Sequence, residues 1–278
     1  MSTLSEVPVQ ETVEAVETDL LLEGLHRRWG YDLRGYDRRR AGRRLRALRR
    51  ARRTRSLSAL QERVLRDPRE ADRLVAALGR PHPRLFDDPA FWLAFRRRAV
   101  PFLRTYPSPR LWVPACGSGE DAYSLAVVLE EEGLGGRAEI YATDLAPGTV
   151  AEARKGLIAP AALRAAQERH VRAGGDRHLD EHFRREPLGC LLRGQLLQRI
   201  VLGTHSLSTD GPINEFQFVL CRGLLASLGP ELRQRVLRLV LDSLCPLGLV
   251  ALDPDGREPG PSALTPFASP EGIWRRTS

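Results

Sequence analysis

The residues with the clearest capacity for chemistry lie in Val113-Pro114-Ala115-Cys116-Gly117-Ser118-Gly119-Glu120-Asp121 and, further along, in Ile140-Tyr141-Ala142-Thr143-Asp144-Leu145. Two glycines in a turn that follows a short apolar run let the backbone approach a ligand closely. An acidic residue ending the next apolar run, roughly 20 residues or slightly more beyond, can accept hydrogen bonds from a ribose diol. Asp144 is therefore the leading single ligand in the chain. The turn is not a phosphate loop, because no Gly-Lys-Ser/Thr ending follows and the third glycine of the dinucleotide fingerprint is missing. Two plainer readings stand beside this one: a tight turn that holds no ligand, and an Asp that caps the helix after it.

Two other clusters invite chemistry less strongly. His178-Leu179-Asp180-Glu181-His182 would place two histidines on one helical turn, a geometry that can bind metal. The general-base glutamate of the metalloprotease pattern is not in place, so exposed helix surface is the better reading and no metal is expected. A helix predicted from about Asp37 to Arg53 has Leu45 and Leu48 as apolar points and arginines around most of the rest. Such a face suits an acidic protein surface or phosphates, but no interleaved aromatics offer base stacking, so no specific nucleic acid is expected. A merely solvated face is the plain alternative. Cys116, Cys190, Cys221 and Cys245 form no Cys-x-x-Cys pair, which disfavours a zinc site or a disulfide framework.

The elements that must position these residues follow from apolar spacing. The first eighteen residues read as a mobile acidic tail, and a helix is predicted from Asp19 with its stop at Gly30. Further helices are predicted from about Asp37, from near Ser58, and after Pro68 up to Gly79, making a small all-α domain over 19–79. Arg80-Pro81-His82-Pro83-Arg84 cannot easily stay helical, so 80–89 reads as a linker. From 90 to 278 an apolar-faced helix precedes alternating strands and helices. Strands are predicted over 110–115, 138–143, 200–203, 216–221 and 247–252, a mixed helical region lies before the third, and Gly272 to Arg276 is expected as a final edge strand. This alternation implies an α/β fold, a doubly wound, mostly parallel sheet covered on both faces. The composition, 42% hydrophobic and 28% charged at net charge +8, is that of a globular protein. With no apolar run near the roughly 18 residues a membrane helix needs and no secretory pattern at Met1-Ser2-Thr3-Leu4, membrane insertion is not expected and a cytoplasmic location is.

A resemblance becomes specific from Leu85 onward. Leu85-Phe86-Asp87-Asp88-Pro89, Pro101 to Pro107, Ala115 to Ala126, Ala142-Thr143-Asp144-Leu145, His205-Ser206-Leu207, Phe218 to Gly223 and Gly272 to Arg276 agree in order and spacing with the chemotaxis receptor methyltransferase (CheR) family. Trp29 to Tyr36, ahead of the basic helix, is similar to that family's small receptor-contacting domain. The resemblance implies a Rossmann-like methyltransferase fold that binds S-adenosylmethionine (SAM) and an ancestral transfer of methyl groups to receptor glutamates. It implies a cofactor set of Ala115, Cys116, Gly117, Ser118, Gly119, Glu120, Asp121, Asp144, Leu145, Ser206, Leu207, Arg222 and Gly223. It also implies an acidic helical segment of a chemoreceptor-type protein as the partner of Arg43, Arg46 and Arg50. The chain departs from the family where the chemistry lives: Pro81 and Pro83 stand for an Asn-x-Thr, Asp87 for an arginine, Ser206 and Gly223 for asparagines, and Ser227 for a tyrosine. No catalytic residue is singled out, weak or absent catalysis is predicted, and a degenerate binding or regulatory module of a chemosensory pathway is the alternative.

Overall fold

The structure, a computed structural model, describes residues 12–79, 84–253 and 263–277. Residues 1–11 of the expected tail and 80–83 of the expected linker lie outside the described residues. The helical domain packs four helices: α1 (Val13–Trp29), α2 (Arg38–Ala51), α3 (Leu57–Arg66) and α4 (Pro68–Leu78). Each begins on a residue whose side-chain oxygen accepts from an orphan amide: Thr12 from Ala15, Asp37 from Arg40, Ser56 from Ala59 and Asp67 from Arg69. Gly30 closes α1 in the left-handed conformation at φ 77°. Leu21, Leu22, Leu25, Leu45, Leu60, Val64 and Leu74 are buried together, and Ala146 of the following domain completes this core. One expectation fails here, because α1 starts at Val13 rather than Asp19. Thr12 supplies a cap that no apolar stripe announces, and Val13 and Val16 remain exposed.

The second domain opens with α5 (Pro89–Ala94), a π-helical turn (Phe95–Ala99) and α6 (Val100–Leu103). There follow β1 (Arg110–Pro114), α7 (Glu120–Glu131), β2 (Glu139–Asp144), α8 (Pro147–Arg154), β3 (Leu157–Ile158), α9 (Pro160–Arg172), β4 (Phe183–Glu186), β5 (Gly189–Leu192) and α10 (Gly194–Leu197). β6 (Ile200–Thr204), β7 (Phe216–Leu220), α11 (Pro230–Asp242), β8 (Leu244–Ala251), β9 (Leu264–Ala268) and β10 (Ile273–Arg276) end it. The main sheet runs β6-β2-β1-β7-β8-β10-β9, parallel from β6 to β8 and antiparallel at the last two strands. β1 shows why its run is apolar on both sides. Leu111 and Val113 enter the core that holds Ala122, Leu125 and Val128 of α7, while Trp112 enters the opposite core with Val236 and Val240 of α11.

Three expectations are corrected. Gly272 to Arg276 does not form an edge, because β9 pairs antiparallel with β10 and takes the edge itself, where Pro266 without an N–H is tolerated. The region read as mixed helical contains a separate antiparallel sheet, β3-β5-β4. The two histidines do not share a helix face: a short 3-10 turn (Leu179–His182) leaves His178 exposed and buries His182. His182 Nε2 and His170 Nε2 each lie 2.9 Å from Glu131 Oε1, and the other Glu131 oxygen receives Arg96. No cluster of His, Cys, Asp or Glu suited to a metal occurs among the described residues.

Candidate functional site: a cleft at the carboxyl edge of the sheet

β1 and β2 are hydrogen-bonded neighbours in register from Arg110–Glu139 to Pro114–Thr143, so the turn after β1 and Asp144 at the end of β2 emerge side by side. Cys116 N donates to Thr143 O at 2.9 Å and ties that turn to β2. The chain then reverses through left-handed residues at Ala115 (φ 50°), Gly117 (φ 58°) and Gly119 (φ 101°). A Cβ on Gly119 would fall 2.6 Å from the Tyr123 ring, which is why that position takes no side chain.

Asp144 is the hinge of the site. Gly117 N donates to its Oδ2 at 3.0 Å and Ala146 N to its Oδ1 at 3.3 Å, so the carboxylate is oriented by backbone on both sides. Each oxygen retains lone-pair capacity for a further donor. Burial pushes this carboxyl above the ordinary Asp value, against the pull of the Gly117, Ala146 and Leu145 amides. Of the two plain readings, the cap is not realised: α8 starts from Ala146 with no side-chain cap, and the bond from Ala146 N to Asp144 closes the turn ahead of the helix. The turn after β1 is tight in its own right.

Beside Asp144 a cleft opens to solvent. Of the residues expected to hold a ligand, Ala115, Gly117, Asp144, Leu145, Ser206 and Leu207 line it. The others stand back. Burial pushes the Cys116 thiol up, leaving an inert core residue. Ser118 Oγ spends its proton on Glu120, 2.8 Å from both carboxylate oxygens, and Asp121 is buried in the first turn of α7. Arg222 reaches away from the cleft to Asp88 at 2.8 Å, with its guanidinium 4.4 Å above the Phe91 ring, and Gly223 N donates to Asp253 at 2.6 Å.

The sequence reading missed one wall altogether. Asp32, Tyr36, Val75, Ala76 and Gly79 of the helical domain also line the cleft, together with Leu228 ahead of α11 and Leu232 and Val236 within it. Arg44 was also missed. It lies among the arginines of α2 but turns inward, donating to Leu78 O at 2.5 Å, to Gly79 O and, at 3.3 Å, to Ser227 Oγ. Burial pushes its guanidinium below the ordinary value, as expected for a cation whose partners are carbonyls and a hydroxyl. Only its place on the helix, one residue off the outward face of Arg43, could have separated it from its neighbours. Arg43 and Arg50 are exposed as expected, whereas Arg46 pairs with Glu14 at 3.0 Å.

The same division of the chain appears in comparisons with known proteins. The CheR methyltransferase SAM binding domain matches residues 84–253, and the CheR methyltransferase all-alpha domain matches residues 17–78. The putative methyltransferase Cher3 of Pseudomonas putida is 36% identical over 85% of this chain and 87% of its own length. The chemotaxis protein methyltransferase Cher2 of the same organism is 24% identical over 71% of this chain and 74% of its own. The probable biofilm formation methyltransferase WspC, also from P. putida, is 32% identical over 52% of this chain and 33% of its own.

S-adenosylmethionine is the cofactor of this domain class, and the residues present fit it. Asp144 has free acceptor capacity for a ribose diol, Ala115, Leu207, Leu228 and Val236 offer apolar walls to a purine, and the left-handed turn brings bare backbone to the cleft. The chain belongs to the CheR family of SAM-dependent methyltransferases.

Proposed function

We propose that this protein binds SAM in the Asp144 cleft and methylates side-chain carboxylates on an acidic helical segment of a chemoreceptor-type protein, at a reduced rate. The observation that carries the cofactor half is Asp144 itself, fixed by two backbone amides with acceptor capacity to spare. The names of Cher2 and WspC support a chemosensory setting, and the exposed Arg43 and Arg50 of α2 support an acidic partner. When bound, SAM supplies an electrophilic methyl group on a sulfonium centre. The protein's task is then alignment, because a carboxylate acceptor is already ionised and needs no strong base. Arg44, held between α4 and Ser227 at the edge of the cleft, is the cation best placed to attract such an acceptor.

The reduced rate rests on the positions where the chain departs from its family. Asp87 is engaged with Arg84 at 2.8 Å, and Ser227 is buried beneath Arg44, where a tyrosine would be expected. Pro81 and Pro83 lie outside the described residues. These same pairings support the second reading, a module that binds SAM and partner without turnover. Calorimetry with SAM, followed by transfer from methyl-labelled SAM to purified receptor, separates the two. Asp144→Ala should abolish SAM binding. Undiminished binding by that variant would refute the cofactor assignment, and methyl-ester formation at the rate of ordinary family members would refute the reduced rate.

A further inference from the structure

The segment joining α1 to α2 lies across the cleft and is pinned to the second domain from end to end. Tyr31 Oη donates to Asp72 Oδ1 at 2.6 Å, and the other Asp72 oxygen receives Gly148 N at 3.0 Å. Ser208 Oγ donates to Asp32 O at 3.2 Å, Gly229 N to Gly35 O at 2.8 Å, and Asp37 N to Ser227 O at 3.0 Å. Tyr36 and Leu228 form an antiparallel bridge. Two glycines make this contact possible. A Cβ on Gly229 would lie 2.9 Å from Gly35 O, and a Cβ on Gly35 would lie 2.9 Å from Leu232 Cβ, so neither accepts a side chain while the strap keeps its place.

What the strap positions is Tyr36, which lines the cleft together with Asp144. Burial raises this phenol, and the Asp144 carboxylate raises it further, which places the two groups in one electrostatic neighbourhood. The hydroxyl has no hydrogen-bond partner among the described residues and is not sealed from the cavity. A phenylalanine would fill the same space, so a phenol with nothing to donate to is a site awaiting an acceptor. The nucleoside of SAM offers ether, hydroxyl and ring-nitrogen acceptors, and it is the portion that Asp144 engages.

We propose that Tyr36 is a cofactor-binding residue: its hydroxyl donates to the nucleoside of SAM while Asp144 accepts from the ribose. The helical domain thereby supplies one wall of the cofactor site. This rests on SAM occupying the Asp144 cleft. It has a consequence beyond one hydrogen bond, since a ligand held by both domains tightens their contact by the same free energy that the contact lends to the ligand.

The test is calorimetry of the full chain with SAM and with its demethylated product, comparing wild type, Asp144→Ala, Tyr36→Phe and Tyr36→Ala. Tyr36→Phe keeps the ring and should weaken both ligands roughly 3- to 10-fold, the range for one net hydrogen bond. It should leave the melting temperature of the ligand-free protein unchanged. Tyr36→Ala should weaken both ligands more. Hydrogen exchange at the Asp37 amide, which bonds Ser227 O, should slow when SAM is added to wild type and slow less in Tyr36→Phe. Wild-type affinity in Tyr36→Phe, whether or not Tyr36→Ala is impaired, would overturn the role of the hydroxyl. Absence of SAM binding by wild type would instead sink the cofactor reading on which the proposal stands.

Discussion

Replacing Glu131 by glutamine should destabilise the second domain strongly without touching the cleft. Glu131 ends α7 with 2% of its side chain exposed, and its carboxylate gathers His170, His182 and Arg96 from three other elements. His170 is fully buried, with its ring centroid 4.7 Å from that of Phe86. A glutamine at this position would keep the volume, but its amide nitrogen would face a donor where an oxygen now accepts. Breaking a buried ion pair by removing one partner costs about 3–5 kcal/mol. Arg96 keeps a second carboxylate, Glu132 Oε1 at 3.3 Å, so the lower end applies, about 3 kcal/mol. For a domain of this size that is a fall of roughly 6–12 °C in melting temperature. Burial alone would raise the Glu131 carboxyl, but the hydrogen bonds from His170, His182 and Arg96 outweigh it and hold the group well below the usual range. A carboxyl lowered by folding contributes stability that is present above its unfolded value of 4.5 and is lost as pH falls below it. Calorimetric melting from neutral pH downward should therefore show a wide gap between wild type and Glu131→Gln that narrows below about pH 4.5. A melting temperature within a degree or so of wild type at neutral pH, or a gap that does not change with acid, would refute this account of the cluster.

Two further predictions concern the partner and the acceptor. Charge reversal of Arg43, Arg46 and Arg50 should slow association with an acidic receptor helix, as should added salt, with Arg46 contributing least because Glu14 already pairs with it. Association rates by surface plasmon resonance that respond to neither change would make α2 a merely solvated face. Asp87→Arg alone should recover little methyl transfer, because it would place a cation beside Arg84, whereas adding Ser206→Asn and Gly223→Asn should recover more. Gly223 sits at φ 71°, a conformation asparagine tolerates, so a triple variant that folds yet transfers no faster than Asp87→Arg would count against the assigned positions.

The parallel half of the sheet is legible from the chain because its signal is local: short apolar runs, each followed by a turn and a helical stripe. Asp144 and the Gly117–Gly119 turn are legible for the same reason, since neighbouring parallel strands deliver their ends to one edge. What stays hidden depends on partners distant in sequence. Leu157–Ile158 is too short to show a strand period, and it becomes one only because Cys190 and Leu191 pair with it. His182 looks like helix surface until Glu131, 51 residues earlier, is brought against it. Tyr36 lies in a stretch whose resemblance to the family is visible, yet its place in the cleft follows from the Gly35–Gly229 contact, which no periodicity encodes.

The departures from the family pattern noted in the sequence are unevenly placed, and their surroundings bear on the reduced rate we propose. On the cofactor side Asp144 is kept, with lone pairs to offer, and the changed Ser206 lines the cleft with its hydroxyl 3.0 Å from that of Ser208. Beyond the cleft the changed positions are closed on themselves. Asp87 holds Arg84, Gly223 N is taken by Asp253, Arg222 is drawn to Asp88 and the face of Phe91, and Ser227 accepts from Arg44. A carboxylate acceptor arriving there would have to compete with carboxylates already in place for Arg84, Arg222 and the Gly223 amide. At Arg222 and the Gly223 amide this would uncover a half-buried donor, which costs more than an open site would, whereas the exposed Arg84–Asp87 pair opposes it little. The reduced rate we propose would therefore arise with the acceptor and its orientation rather than with the cofactor, and Arg44, whose partners carry no formal charge, is a cation near the cleft that an incoming glutamate could claim without displacing another anion.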